Sequence, residues 1–369
     1  MRQQNNILVR ELRRKLHSCP EVSGQERVTL QTIRGFLESR TSMQVTDCGS
    51  FLYGIHREEG ADTTICFRAD MDAIVNSGGI PFHGCGHDGH SAALAGVALE
   101  LEGKRTGKNI VLLWQPAEEN GQGARQCVEL LARSQVQAIY GCHNIPGYPE
   151  GQILMRPGVF ACASRGMRIC LQGRQTHAAY PELGVSPAGT LGELLCALPS
   201  MTEPAAGYRG MVLTSVIEIR MGEKNYGICA GNGEISLTIR AHYLEDLELL
   251  ARRIREFLES RCRELGLGLD VSFLDEFPDT VNDSELYERM VRLLAGRDWQ
   301  ELKEPMRWSE DFGWYQRACP GLFFGVGAGE SWPGLHTDGY EYNDRLLERT
   351  ADTFLLLAGE KEERSCRFS

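Results

Sequence analysis

Between residues 25 and 40, Val28, Leu30, Ile33, Phe36 and Leu37 recur at the spacing of one helix face, and a similar amphipathic pattern covers residues 6–17. The apolar run "TTICFRADMDA" that follows predicts a buried strand. A helix from about Asp88 to Leu101, a strand "NIVLLW", a helix over 121–134 and a strand "VQAIYGCHN" continue the alternation. Helices and apolar strands in this order predict an α/β fold, a mainly parallel sheet flanked by helices.

From about Ala163 to Leu274 the pattern changes. Strand "RGMRICLQG", helix 184–198, strands "MVLTSVIEIR" and "EISLTIRAHY", helix 244–265 and strand "GLDVSFL" make a β-α-β-β-α-β unit. Such a unit closes its own small sheet, which predicts an inserted α+β domain over 164–274. Residues 1–163 and 275–369 then form the other domain, resumed at "TVNDSELYERMVRLLAG". There is no internal repeat and no low-complexity linker.

A chain of 369 residues is long enough for two such domains. Its net charge of −11 argues against nucleic acid or anionic membranes as partners and for a small-molecule substrate. No window approaches the roughly 18 consecutive apolar residues of a membrane helix. The opening "MRQQNNILVRELRRKL" has charges where a signal peptide needs its apolar core, so a cytoplasmic protein is expected. Thirteen cysteines, spread from Cys19 to Cys366 with no CxxC pair, fit neither a disulfide framework nor a zinc knuckle. Most are expected to be buried thiols acting as small apolar residues.

The chemistry concentrates in "GIPFHGCGHDGHSAALAG", where His83, Cys85, His87, Asp88 and His90 occupy eight positions at the mouth of a helix. Imidazole, thiolate and carboxylate suit a divalent metal. Extended backbone would pair Cys85 with His87, whereas a helix already begun would pair His87 with His90. The glycines at 84, 86 and 89 favour the first pairing, leaving His83, Asp88 and His90 to orient ligands or cap the helix. Further candidates stand at other strand ends: Glu118 and Glu119 in "QPAEENGQGA", His143 in "GCHNIPGYP" and His336 in "GLHTDGYEYND". Two adjacent carboxylates allow one to bind metal while the other serves as general base. Asp70 and Asp72 could orient the ligand histidines, with packing or capping as the alternative.

The blocks "LRRKLHSCPEVSGQE", "RADMDA", "HGCGHDGHSAALAG", "QPAEENGQGA", "GCHNIPGYPEGQI", "THAAYPELGVSP", "TVND", "SEDFGWYQRACPGLFFGVGAG" and "GLHTDGYEYND", in this order from about residue 9 to 358, resemble the amidohydrolase branch of the aminoacylase/carboxypeptidase zinc metallopeptidase family. That group includes hippurate hydrolases, indole-acetyl-amino-acid hydrolases and N-acetyl-diaminopimelate deacetylases. The resemblance implies two divalent ions held by Cys85, His87, Glu119, His143 and His336, with Glu118 as general base. Zinc or manganese is expected, with cobalt or nickel as further options. It also implies that the inserted domain is a lid and dimerisation domain, that His177 stabilises the oxyanion, often from a partner subunit, and that the protein is a homodimer. A water bridging two cations would give up its proton near neutral pH, to Glu118, and attack the amide carbonyl of an N-acyl amino acid.

The sequence departs from the family in three places. Only "IVNSGGIPF" separates "RADMDA" from "HGCGHDGH", Glu182 replaces the usual histidine after "HAA-x-P", and "GICA" with Leu237 alters the inserted domain, although Arg240 is kept as a candidate substrate contact. Three alternatives stand beside N-acyl amino acid hydrolysis: a dipeptidase with the same metal mechanism, a hydrolase with Cys85 as nucleophile, and a non-catalytic binding protein. The nucleophile reading leaves Glu118, Glu119 and His336 without roles, and a pure binder has no use for a free carboxylate beside the metal.

Overall fold

The apolar run after residue 62 becomes the strand Thr64–Asp70, which pairs in parallel with Asn109–Gln115 on one side and with Ala138–Pro146 on the other. The computed structural model describes residues 1–204 and 207–359; Cys366 and the rest of 360–369 lie outside the described residues. They divide into two compact units, one of Met1–Phe160, Thr280–Glu304 and the chain from Asp311 onward, the other of Ala161–Asp279 with Pro305–Glu310.

The first unit is α/β and contains an eight-stranded mixed sheet. Its order is Gln44–Asp47, Leu52–His56, Asn109–Gln115, Thr64–Asp70, Ala138–Pro146, Gly321–Gly329, Ile153–Met155, Trp299–Glu301. The four central strands are parallel, as the alternation predicts. The flanks add antiparallel pairs, which is why the sheet is mixed. The helices expected over 6–17, 25–40 and 88–101 are Gln3–His17, Arg27–Arg40 and His87–Leu101. The single helix expected over 121–134 is instead two five-residue helices, Gly123–Cys127 and Glu129–Arg133. The left-handed Gly121 delays its start.

All fifteen residues of His87–Leu101 are buried. Its small side chains let it pack against the helices Gln3–His17 and Leu346–Gly359 and the strand Thr64–Asp70 at once. Gly86 enters it left-handed (φ 93°), and a Cβ there would fall 2.7 Å from the Tyr340 hydroxyl. At Gly89 a Cβ would meet the Tyr342 ring at 2.3 Å. These two glycines therefore set how deep the start of the helix sits.

In the second unit the strands run Val212–Met221, Asn232–Ala241, Ala163–Gln172, Gly268–Phe277 across an antiparallel four-stranded sheet. Helices Ala188–Met201 and Leu244–Leu265 enclose its core, including Leu194, Leu250, Ile254 and Leu258. The apolar pattern proposes 164–274 for this domain, against the unit Ala161–Asp279 with Pro305–Glu310. It does not reveal Pro305–Glu310, a segment with no periodicity that joins this unit through backbone bonds from Cys162 to Met306 and Trp308. The cysteines correct another expectation: of twelve described, all free, six are buried, and Cys48 and Cys196 are exposed.

Glu100, on the buried helix, accepts hydrogen bonds from the Arg2 backbone at 2.7 Å and Asn5 at 2.9 Å, with Lys104 at 3.2 Å. Burial alone would raise its pKa, but these donors win and hold it at about 2. The resulting stabilisation is complete above the ordinary carboxyl pKa and is lost as pH falls towards 2. Glu100→Gln should therefore cost about 1–3 kcal/mol in urea unfolding at pH 7, and the gap to wild type should narrow below about pH 4.5.

Candidate metal centre

Glu118 and Glu119 follow the central strand Asn109–Gln115 and His336 follows Gly321–Gly329, while His143 lies within Ala138–Pro146 and Cys85 and His87 lie at the start of the buried helix. Cys85, His87 and His143 place ligand atoms within 4.8 Å of one another, and so do Cys85, Glu119 and His336. The two triads share Cys85. A third group, His87, Glu118 and Glu119, meets the same limit. The five expected ligands and Glu118 are thus brought together within one unit.

Local backbone explains how adjacent residues reach one point. Cys85 lies in the loop before the helix and His87 is its first residue. Ala117, just ahead of the two glutamates, is left-handed (φ 49°), and its N–H is tied to Glu26 at 2.7 Å. His336 is also left-handed (φ 63°), with its N–H donating to the Gly84 carbonyl at 2.8 Å. Left-handed non-glycine residues cost conformational energy, and here one precedes two candidate donors and the other is a candidate donor itself.

Cys85 Sγ lies 3.3 Å from His143 Nε2, whose ring Nδ1 is held by the Asn144 carbonyl at 2.7 Å. His87 Nδ1 is 2.9 Å from Asp72, and the other Asp72 oxygen accepts from the Glu119 backbone at 3.0 Å and from Ser23 at 2.7 Å. One carboxylate therefore orients two candidate ligands, as outer carboxylates do at metal sites. His87 Nε2 and Glu119 Oε1 face each other at 3.8 Å, both buried and without a hydrogen-bond partner. Buried polar atoms are normally satisfied. A cation coordinated by both would resolve the two at once, and a thiol, three imidazoles and a carboxylate are a suitable donor set for a divalent ion.

Electrostatics divide the donors. Burial, reinforced by Glu119 and Glu118, pushes the Cys85 thiol well above its ordinary value. Burial and His90 push His143 well below, leaving a neutral ring with a lone pair to offer. Burial would also discharge His87, but Asp70, Asp72 and Glu119 outweigh it and raise its pKa to about 10. Asp70 is pulled well below the usual range by His87, His90 and Arg68 against the effect of burial. His336 is raised chiefly by the neighbouring Glu119 carboxylate, whose Oε1 lies 3.5 Å from its Nε2 in a geometry that does not make a hydrogen bond.

The remaining candidates fall elsewhere. His90 is engaged by Asp70 at 2.6 Å and Asn144 at 2.5 Å, which leaves it a brace beneath the donors. Asp70 bonds Arg68 and His90 and stands 3.7 Å from His87 Nε2. Asp88 caps its own helix through Gly89 N–H and turns to His17 at 2.8 Å, away from the ligands. His83 is buried against His17, their ring centroids 6.0 Å apart. In the second unit, His177 is exposed, on a two-residue strand paired with Ile228, and its Nδ1 accepts from Ala179 N–H at 3.0 Å. Arg240, also in that unit, donates to Ser309 at 2.6 Å.

Sequence reasoning passed over a buried network beside Glu118. Asp311 N–H donates to Glu118 Oε1 at 3.2 Å, and the Asp311 carboxylate is held by Arg68, Gln115 and Ala124 N–H. Burial raises the Asp311 pKa to about 6 even with Arg68 opposing. One signal was available: Arg68 and Asp70 are charges inside an apolar strand, which only internal partners can sustain.

The sequence pattern of peptidase family M20/M25/M40 matches residues 66–360. The chain is 28% identical over 345 residues to N-acetyldiaminopimelate deacetylase of Exiguobacterium sibiricum, covering 88% of this chain and 92% of that protein. It is 27% identical over 367 residues to N-acetylcysteine deacetylase of Bacillus subtilis, covering 94% and 95%. Among solved structures, a dinuclear metal-binding peptidase of the M20 family from Bacillus subtilis shares the fold with a TM-score of 0.81 at 23% identity, over 97% of this chain and 98% of that one. The family match spans most of the chain: the protein is a member of peptidase family M20/M25/M40, a hydrolase acting on amide bonds.

Proposed function

We propose that this enzyme hydrolyses the amide bond of N-acyl amino acids, with Glu118 as general base and with Cys85, His87, Glu119, His143 and His336 holding two divalent ions, zinc or manganese before cobalt or nickel. The observation that carries the reading is the pair of orphaned, buried atoms on His87 and Glu119 beside the Cys85–His143 contact. The names of the two relatives, both deacetylases of N-acetylated amino acids, support the acyl-amide class over dipeptides. Bound divalent ions supply two things, a water with lowered pKa and a Lewis acid for the amide carbonyl.

The chain's own residues supply the rest. Glu119 is oriented by its backbone bond to Asp72, which leaves its neighbour Glu118 to move the proton. Glu118 is nearly buried, and the Asp311 N–H on Oε1 fixes the direction of its carboxylate. It takes a proton from water and returns it to the departing amine, giving a carboxylic acid and a free amino acid. His177 donates to the developing oxyanion: Nδ1 already accepts from Ala179, so in the neutral ring the proton sits on Nε2. The second unit serves as the lid and joins a homodimer, in a cytoplasmic protein.

Free-amine release should be measured on N-acetyl, N-benzoyl and long-chain N-acyl amino acids and on dipeptides, with zinc or manganese added. At least one N-acyl amino acid should respond and fall to background with chelator; turnover that survives chelation sinks the metal assignment. Glu118→Gln should bind metal as wild type does and lose about 10²–10⁴-fold in kcat, and near-normal turnover would overturn its role. Asp72→Ala should weaken metal binding about 10–100-fold in a competition titration, whereas unchanged affinity would leave Asp72 a packing residue.

A further inference from the structure

Arg68 occupies a place that neither substrate nor metal explains. It is fully buried in the central strand Thr64–Asp70, and its guanidinium is divided among partners: Nε to Gln115 at 2.7 Å, Nη1 to Asp70 at 2.7 Å and Nη2 to Asp311 at 2.9 Å. The partners are themselves fastened. Gln115 Nε2 reaches both Asp311 oxygens, at 2.9 and 2.8 Å, and Tyr315 donates to Gln115 Oε1 at 2.9 Å. Asp70 continues to His90, His90 to Asn144, and Asn144 to the Tyr340 hydroxyl. A buried hydrogen-bonded chain therefore runs from Tyr340 behind the donor cluster to Asp311, and Arg68 links the Asp70 end to the Asp311 end.

The Asp311 end is where the chain meets chemistry. Its carboxylate accepts from Arg68, Gln115 and Ala124 N–H, so the residue cannot rotate, and its own N–H points at Glu118 Oε1. We propose that Arg68 is a positioning residue for Glu118, acting through Asp311 to keep that N–H on the general base. This inference rests on the proposed role of Glu118. The planar guanidinium is the requirement, because three bonds in fixed directions cannot be reproduced by a lysine ammonium on a flexible stem. An unpaired carboxylate at either end would be a buried charge, so the surroundings of Asp311 would shift instead.

The test compares Arg68→Lys with wild type. Hydrogen exchange at the Asp311 amide should accelerate at least about tenfold while amides of the helix His87–Leu101 keep their protection. On whichever N-acyl amino acid the panel turns over, kcat should fall about 10–10²-fold with KM and metal affinity within about twofold of wild type. In a Glu118→Gln background Arg68→Lys should cost nothing further, since both act through one carboxylate. Unchanged exchange at Asp311, loss of metal affinity in parallel with turnover, or losses that multiply would each overturn the proposal. If Arg68→Lys does not fold, Asp311→Asn removes the same charge pair and carries the same expectations. The exchange measurement needs neither substrate nor a working Glu118: a Glu118→Gln enzyme with normal turnover would reject the base assignment alone, and a protected Asp311 amide in Arg68→Lys would reject the positioning alone.

Discussion

The first unit is organised around one costly act, the removal of the His87, His90 and His143 imidazoles, the Cys85 thiol and several carboxylates from water at the ends of a parallel sheet. The charged members do not tolerate burial singly; together they do, because opposite charges are interleaved. Asp70 lies between Arg68 and His90, Asp72 behind His87, and Asp88 against His17 and Arg13. Removing one partner from such a set leaves an uncompensated charge, which costs more than the pair contributes. The all-buried helix, the close-packed Tyr342 ring and the tethered Ala117 loop hold the buried candidate donors in register.

What the sequence disclosed follows from the range over which each signal acts. Helical spacing and apolar runs are local, so the helices at 3–17, 27–40 and 244–265 and the central strands were within reach of periodicity. Donor identity is local too, and strand ends gather in parallel sheets, so Cys85, His87, Glu118, Glu119, His143 and His336 stood out one by one, and the family resemblance joined them. The network through Gln115, Asp311 and Tyr315 is different in kind. Its members lie about two hundred residues apart from Gln115 to Asp311, and nothing in the spacing of either segment names the other. Pro305–Glu310 escaped for a related reason, since its backbone bonds to Cys162 depend on no side-chain pattern. The cysteines misled through composition: a small apolar thiol suits a core, yet half of the described ones found places at least partly open to solvent.

His177 is exposed, as His336 is, whereas Cys85, His87 and His143 are buried. The His177 ring is held by one bond from Ala179 N–H and a contact with the Tyr180 ring on a two-residue strand, whereas His87 is fully buried and bonded to Asp72. The two units each have their own core.

The left-handed backbone at His336 carries a lesson for laboratory evolution. A non-glycine residue held at φ 63° costs roughly 1–3 kcal/mol, energy that glycine would release along with the imidazole. A search for heat-resistant variants scored on survival alone would be drawn to that position and would return sturdier proteins lacking a donor. Ala117 offers the opposite opportunity, because glycine there relaxes the same kind of backbone and leaves both glutamates in place. Ranking variants by turnover and melting temperature in the same round would separate the two.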